Sequence, residues 1–236
     1  MIKAYALLPK RPDLSDEEFH QHWSTTHADH ARNIPSLRRY VQAHRIDYDV
    51  PGLARSPYEG IPEVWYDSLE AAVAMADDPA YVNGAQADEP NFIDMTGITH
   101  VMTEEHVIDP GPELDAEDPE VKLLLLLKRR PGTEIEEFAE AWLTTAPQLL
   151  PEAEGLRRRV ASVTIPATYD GPRRSDDSLE GEPAYDGFGE LAWGGMEEFE
   201  RDWEAGREDA VEALAAVASM DRSHGYLASQ YRVIWP

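Results

Sequence analysis

The sequence predicts an α+β protein: two tandem β-α-β-β-α-β units that pack sheet against sheet. Three observations lead there. The chain repeats itself at a shift of 119 residues, each copy shows the same succession of strand and helix patterns, and an acidic, proline-rich stretch separates the copies. Without a gap, "IKAYALLPKRPDLSDEEFHQHWSTTHADHARNIPSLRRYVQAHRI" aligns with "VKLLLLLKRRPGTEIEEFAEAWLTTAPQLLPEAEGLRRRVASVTI". Identical pairs include Lys3/Lys122, Pro12/Pro131, Phe19/Phe138, Trp23/Trp142, Thr26/Thr145, Leu37/Leu156, Arg39/Arg158 and Ile46/Ile165. A repeat of this length is a structural unit, and it takes precedence over local pattern reading.

In the first copy the apolar run Lys3 to Leu8 predicts a strand, and Ser15 followed by Glu18 forms a capping box that starts a helix. Pro35 ends that helix, since it can neither donate a backbone hydrogen bond nor fit the helical turn. "RRYVQAHRI" predicts a second strand and "IPEVWYD" a third; a second helix begins near Ser68, and "THVMTEEHVI" supplies the last strand. In the second copy the match loosens: "YDGFGELAWGGMEEFERDW" is similar to "YEGIPEVWYDSLEAAVAM", and Tyr226 falls opposite His100. The order is ferredoxin-like, with both helices on one face of an antiparallel sheet. A sheet covered on one face must bury the other, and two units do so by placing sheet against sheet. "DPGPELDAEDPE" reads as a linker, giving units at residues 1–109 and 119–236 and an intramolecular pseudo-dimer. Whether such chains pair again as a homodimer stays open.

Composition narrows the function. A formal charge of -25, from 46 acidic and 21 basic residues, repels nucleic acid and anionic membrane surfaces. With no cysteine there is no disulfide, thiolate nucleophile or cysteine-bound metal. "MIKAYALLPKRPD" lacks the apolar core of a signal peptide and no stretch reaches membrane-spanning length, so the expected compartment is the cytoplasm. G-x-S-x-G, G-x-G-x-x-G, P-loop and H-E-x-x-H motifs are absent, leaving serine hydrolase, nucleotide-dependent and zincin readings without support.

"HQHWSTTHADH", residues 20 to 30, holds four of the eight histidines. On a wheel of about 100° per residue from Phe19, His30 falls at about 20°, Trp23 at about 40°, His27 at about 80° and His20 at about 100°. His22 falls at about -60°, on the edge beside the polar side, where solvent is expected. His27 and His30 therefore point inward. The second copy is an internal control: it carries Ala139, Ala141, Ala146 and Leu149 at the histidine positions and keeps Phe138, Trp142 and Thr145. A helix that folds with Ala146 and Leu149 inside does not need imidazoles there, since each buried ring demands a hydrogen-bond partner. His44 and Tyr40, on the second strand, likewise stand opposite Val163 and Arg159. One functional cleft follows, in the first half.

The pattern Phe19-x3-Trp23-x3-His27, then a proline, then Arg39-Tyr40-Val41-Gln42 and His44, resembles the EthD family of the dimeric α/β-barrel superfamily. The resemblance covers nearly all of the first half and, more weakly, the second. It implies a barrel of two ferredoxin-like units, here in one chain, with a small-molecule cleft between helices and sheet. It also implies cofactor-free chemistry of the kind found in lactone isomerases, polyketide cyclases, decarboxylases and dehydratases, while other branches bind haem. His27 matches the family's helix position; His30 departs from it, an apolar residue being usual there.

The expected activity is a cofactor-independent lyase or isomerase acting on a small aromatic or lactone-like metabolite. His27 is its general base or acid, His30 and His44 its partners, and Tyr40 an orienting donor. Trp23, Trp65, Tyr66, Phe92, Met95 and His100 are expected to line the substrate pocket, each with plain core packing as the competing reading. His106 and His224 are expected outside it. Two alternatives stand beside this: a non-catalytic binding or accessory protein, and a metal or haem barrel. His27, His30 and His44 would supply the metal's three nitrogens, but the sequence offers no well-placed inward carboxylate to join them.

Overall fold

The computed structural model describes residues 1–165 and 182–235. The first unit supplies β1 (Ile2–Leu7), β2 (Arg39–Arg45), β3 (Gly60–Tyr66) and β4 (Thr99–Asp109). The second supplies β5 (Val121–Leu127), β6 (Arg158–Thr164), β7 (Gly187–Trp193) and β8 (His224–Ile234). The strands close into one barrel in the order β1-β3-β2-β8-β5-β7-β6-β4, with β4 pairing back onto β1. The two sheets face each other across a common interior and also join edge to edge, β2 on β8 and β4 on β6. Closure leaves no exposed strand edge to recruit another chain.

Residues directly opposite in an antiparallel ladder share a face, so the register sorts the side chains. Tyr5, Ala43, Ile61, Val101, Leu124, Leu126, Phe188, Tyr226 and Ala228 fill the barrel interior, with Tyr5 and Phe188 stacked at 4.1 Å between centroids. Above this layer lies an ionic quartet that the repeat builds twice over, Lys3 with Glu63 and Lys122 with Glu190. Lys3 Nζ sits 2.6 Å from Glu63 and also pairs with Glu190; Lys122 Nζ lies 2.9 Å from Glu63 and 3.0 Å from Glu190. Burial alone opposes charge on Glu190, but Lys122 and Lys3 outweigh it and hold the carboxyl well below the usual carboxylate range. Glu63 moves the other way, pushed up by burial and by the Glu190 charge against the pull of Lys122 and Lys3; opposite-sign partners on both sides are what make such a cluster tolerable in a dry interior.

The register also corrects one correspondence between the copies. Tyr5 opposes Val101 and Leu124 opposes Tyr226, so Tyr226 matches Val101; His100, opposite Ala6, points out of the barrel and is exposed.

The outer face of the second unit is a conventional core: Leu123, Leu125, Leu127 and Trp193 pack with residues of α5 (Ile135–Thr145) and α6 (Met196–Val217). Over the first unit the helical cover is broken up. Ser15 caps α1 (Asp16–His22), and the Ser15–Glu18 capping box forms as the sequence predicts. Next comes a π-helical turn, Trp23–His27, and then the short α2 (Ala28–Ala31). Ser68 caps α3 (Leu69–Ala74); a second π-helical turn, Tyr81–Ala85, leads through α4 (Gln86–Asp88) into a 3-10 turn, Glu89–Asn91. The helices approach the sheet over glycine in both copies. A Cβ on Gly60 would meet the Trp23 ring at 2.7 Å and Phe19 at 3.0 Å, and one on Gly187 would meet Phe138 at 2.9 Å.

Candidate active site

The π-helical turn decides how the histidines face. Ala28 N–H bonds to Trp23 O, five residues back, instead of continuing the α-helical ladder. In an α-helix, residues five apart diverge by about 140°. Through the widened turn His22 and His27 instead converge on one carboxylate, Asp88. His27 Nδ1 lies 3.1 Å from Asp88 Oδ2, His22 Nε2 lies 2.9 Å from Oδ1 and 3.0 Å from Oδ2, and Asn91 Nδ2 donates to Oδ1 at 3.0 Å. The solvent-facing position expected for His22 is thereby corrected. The expectation that no inward carboxylate exists falls too, because Asp88 and Glu89 come from α4 and the 3-10 turn after it.

Hydrogen-bond chemistry assigns the protons. Burial raises the Asp88 carboxyl, but bonds from His27, Asn91 and His22 outweigh that and carry it below the ordinary aspartate value. It is therefore a carboxylate and only accepts, so His27 donates from Nδ1. Burial lowers His27 from the usual imidazole value, against the opposing pull of Asp88. The ring is then neutral at pH 7 with its lone pair on Nε2, which has no hydrogen-bond partner among the described residues. A carboxylate that fixes a histidine tautomer and orients the other nitrogen as a base is a recurrent arrangement in enzymes. Phe92, wholly buried, packs its ring 4.9 Å from that of His27 and 5.1 Å from that of His22.

His44 does not join His27. It pairs with His20, Nδ1 to Nδ1 at 2.9 Å, and packs its ring 4.5 Å from that of Trp23. Gln42 Nε2 donates to Trp23 O at 2.8 Å, leaving Gln42 Oε1 to accept from His44 Nε2 at 3.0 Å. His44 must then accept at Nδ1 from His20, whose Nε2 faces Glu59 Oε1 at 3.1 Å. Burial and the His20 charge push His44 down to about 3, consistent with a neutral ring. The Tyr40 hydroxyl joins this second group, accepting from Trp23 Nε1 at 3.0 Å and from Gln42 Nε2 at 3.1 Å. Its own proton has no acceptor among the described residues. Since His44 is separated from His27, the three-histidine metal arrangement does not form; among the described residues no group of three His, Asp or Glu is placed to hold an ion.

The other predicted residues divide by location. The ring of His30 lies against Gly84, close enough for its charge to oppose that of His27. Trp23, Tyr66 and Phe92 are buried around the histidines and the underlying sheet, with Tyr66 bonded to Met75 Sδ, while Met95 is 40% exposed at the rim. Trp65 is a correction. Paired with Lys3 and with Arg39, it faces the barrel interior, where it donates to Glu105 and stacks under the Lys3 ammonium. Period-two alternation on β3 puts Tyr66 on the helix side and Trp65 opposite. His224 bonds Tyr185, away from this site. Composition and spacing give no signal for Asp88 or Glu89, but "DEPNF" lies in a stretch whose sequence does not match the second copy, where α6 runs on as a continuous helix.

Residues 11–96, within the first unit, match the EthD domain family. The fold of the whole chain is that of the dimeric α/β barrels. It is similar to a solved anthrone oxidase-like protein, with a TM-score of 0.65 at 10% identity over 98% of this chain and 93% of the other. It is also similar to a proposed monooxygenase of Fusobacterium nucleatum subsp. nucleatum, with a TM-score of 0.59 at 8% identity over 98% and 91%. An EthD family protein from Bacillus halodurans matches 45% of this chain and 99% of its own length at 27% identity, with a TM-score of 0.37. No protein of curated function matches the chain in sequence.

Proposed function

We propose, on the premise that residues 11–96 match the EthD domain family within the first half of a two-unit α/β barrel, that this half is an acid/base enzyme. It moves protons on a small, aromatic or lactone-like metabolite without a cofactor, as a lyase or isomerase. The observation that carries the reading is the Asp88–His27 pair, with Nδ1 engaged at 3.1 Å and Nε2 left as a neutral base. The second unit supports it by contrast, since Ala146 at the His27 position is simple core. The base removes a proton from a carbon next to a carbonyl, the electron pair moves onto oxygen, and Tyr40 is the orienting donor. A group of this kind contributes roughly 10² to 10⁴ in rate. Residues 1–109 carry the site and residues 119–236 complete the barrel as its structural partner.

Deuterium incorporation from D2O into a panel of compounds with activated C–H bonds, from anthrone to butenolides and β-keto esters, tests the reading. Exchange above background that drops at least a hundredfold in His27→Ala is the expected result. Exchange that survives in His27→Ala with unchanged saturation removes the base assignment. Binding without exchange by any variant favours an accessory binding protein, and a stoichiometric metal or a Soret band in freshly purified protein favours a metal or haem barrel.

A further inference from the structure

Beside the histidine pair lies an acidic side chain that the reading above leaves without an assigned role. Glu89 opens the 3-10 turn directly after Asp88, with Pro90 at the next position. The residue is 8% exposed. Its Oε1 accepts from the Tyr81 hydroxyl at 3.0 Å; its Oε2 has no hydrogen-bond partner among the described residues and is not sealed from solvent. From the elements packed around it, the groups that face Glu89 are Tyr81 from the π-helical turn, Asp88 from α4 and Tyr40 from β2. His27 and His22 stand beyond Asp88. No lysine or arginine among the described residues pairs with it; Arg32 pairs with Asp29, Arg38 with Asp67 and Lys10 with Asp16. Burial first, then the Asp88 charge, push the Glu89 carboxyl up to about 7, with the Tyr81 bond acting the other way.

We propose that Glu89 is the acid partner of His27, giving a proton from Oε2 to the substrate's carbonyl oxygen, and that the substrate is an uncharged, enolisable ketone or lactone. This rests on the acid/base reading of His27. The step closes without any co-reactant. His27 Nε2 takes the carbon-bound proton as the C–H pair becomes the C=C bond of an enol, while the carbonyl π pair takes the Glu89 proton. In the return step the enol O–H goes back to the Glu89 carboxylate, and the His27 N–H proton is delivered to the same carbon or, where the substrate carries a β,γ double bond and the intermediate is a dienol, to the γ carbon as the double bond shifts into conjugation. Both groups end as they began, and delivery to the γ carbon is an isomerisation. Substrate charge follows from the surroundings. An anionic substrate would enter a site that already holds Asp88 and offers no free cation, and desolvating it there is unfavourable.

Acetophenone and benzoate, matched in ring and different in charge, serve as probes on the whole chain. Binding is followed by calorimetry and by amide shifts from pH 5.5 to pH 8.5. The acetophenone carbonyl only accepts, so it needs the protonated carboxyl. Affinity is expected to fall tenfold or more across that range in the wild type and to be flat in Glu89→Gln, which keeps an N–H donor and the Tyr81 bond. Benzoate is expected to bind more weakly throughout. Tyr81→Phe, which removes the bond that favours the carboxylate, moves the fall to higher pH and supplies the answer if Glu89→Gln does not fold. Absence of saturable acetophenone binding, equal or tighter benzoate binding, or a pH dependence that persists in Glu89→Gln overturns the proposal. His27→Ala leaves the pH dependence of binding in place, so failure of the His27 assignment and failure of this one give different results.

Discussion

Replacing Asp88 with Asn tests the geometry of the site at its centre. The carboxylate accepts from His27, from His22 through both oxygens, and from Asn91. An asparagine offers one acceptor oxygen, and its amide group presents N–H to partners that are themselves donors. Hydrogen bonds to charged groups contribute about 1.5–3 kcal/mol each. Losing one or two of them, offset in part because a neutral amide costs less to bury, gives a destabilisation of roughly 2–4 kcal/mol. For a chain of this size that corresponds to a fall in Tm of roughly 5–15 °C.

The functional effect is separate and larger. With an amide N–H opposite, His27 must accept at Nδ1, and its proton moves to Nε2, the atom that has to act as the base. Turnover is expected to fall by about 10² to 10⁴ while the fold persists. Nitrogen-15 NMR of the His27 ring reads the tautomer directly, and thermal melts from pH 2 to pH 7 read the rest. Because the bonds hold Asp88 below its ordinary value, its contribution is fully present above the unfolded aspartate pKa of about 3.9 and is lost as pH falls further. The gap between wild type and Asp88→Asn should therefore be widest near neutrality and close in acid. A variant that keeps the Nε2 lone pair and melts with the wild type at pH 7 would refute the account of the site.

Three further outcomes follow from other parts of the molecule. Gly60→Ala places a methyl 2.7 Å from the Trp23 ring, so it should cost about 1–3 kcal/mol in urea unfolding and disturb the Trp23–Tyr40 bond, whereas an unchanged midpoint would show that the helix shifts freely. Lys122→Met leaves Glu63 and Glu190 to share Lys3 alone, and about 3–5 kcal/mol of lost stability is expected from equilibrium unfolding; a smaller loss would mean that the barrel interior admits water. His44 is neutral in the fold down to about 3, against about 6.5 unfolded, so wild-type stability should decline as pH falls between those values. His44→Phe should flatten that part of the profile, and an unchanged slope in pH-dependent melts would place the titration elsewhere.

What was legible in the sequence follows the repeat. The strand and helix order, the Ser15 cap and the inward sense of His27 come from short-range rules: side-chain period, capping chemistry and proline. The comparison of His27 with Ala146 located the unusual half before any fold was in view. The positions that went astray each need a longer-range quantity. A helical wheel of constant angle turns His22 outward, and only the i→i−5 bond of Ala28 brings it round to Asp88. Trp65 and Tyr66 are adjacent aromatic residues whose faces are set by register against β1 and β2. His44 stands on the helix side of the sheet, as the strand pattern implies, yet its partners there are His20 and Gln42 and not His27.

The sequence by itself determined the architecture, because two copies of an amphipathic pattern with one uncovered sheet face each have few ways to bury it, and closing on one another is the way that also removes the edges. It also determined that one copy differs in chemistry from the other. Only the tertiary structure decided which groups act together. Asp88 and Glu89 lie 61 and 62 positions after His27, in a stretch where the sequence match between the copies is lost, and nothing local marks them. A carboxylate becomes a histidine's orienting partner, or a carboxyl stays protonated near neutral pH, through burial and neighbours brought in by folding, and those are properties of the packed chain.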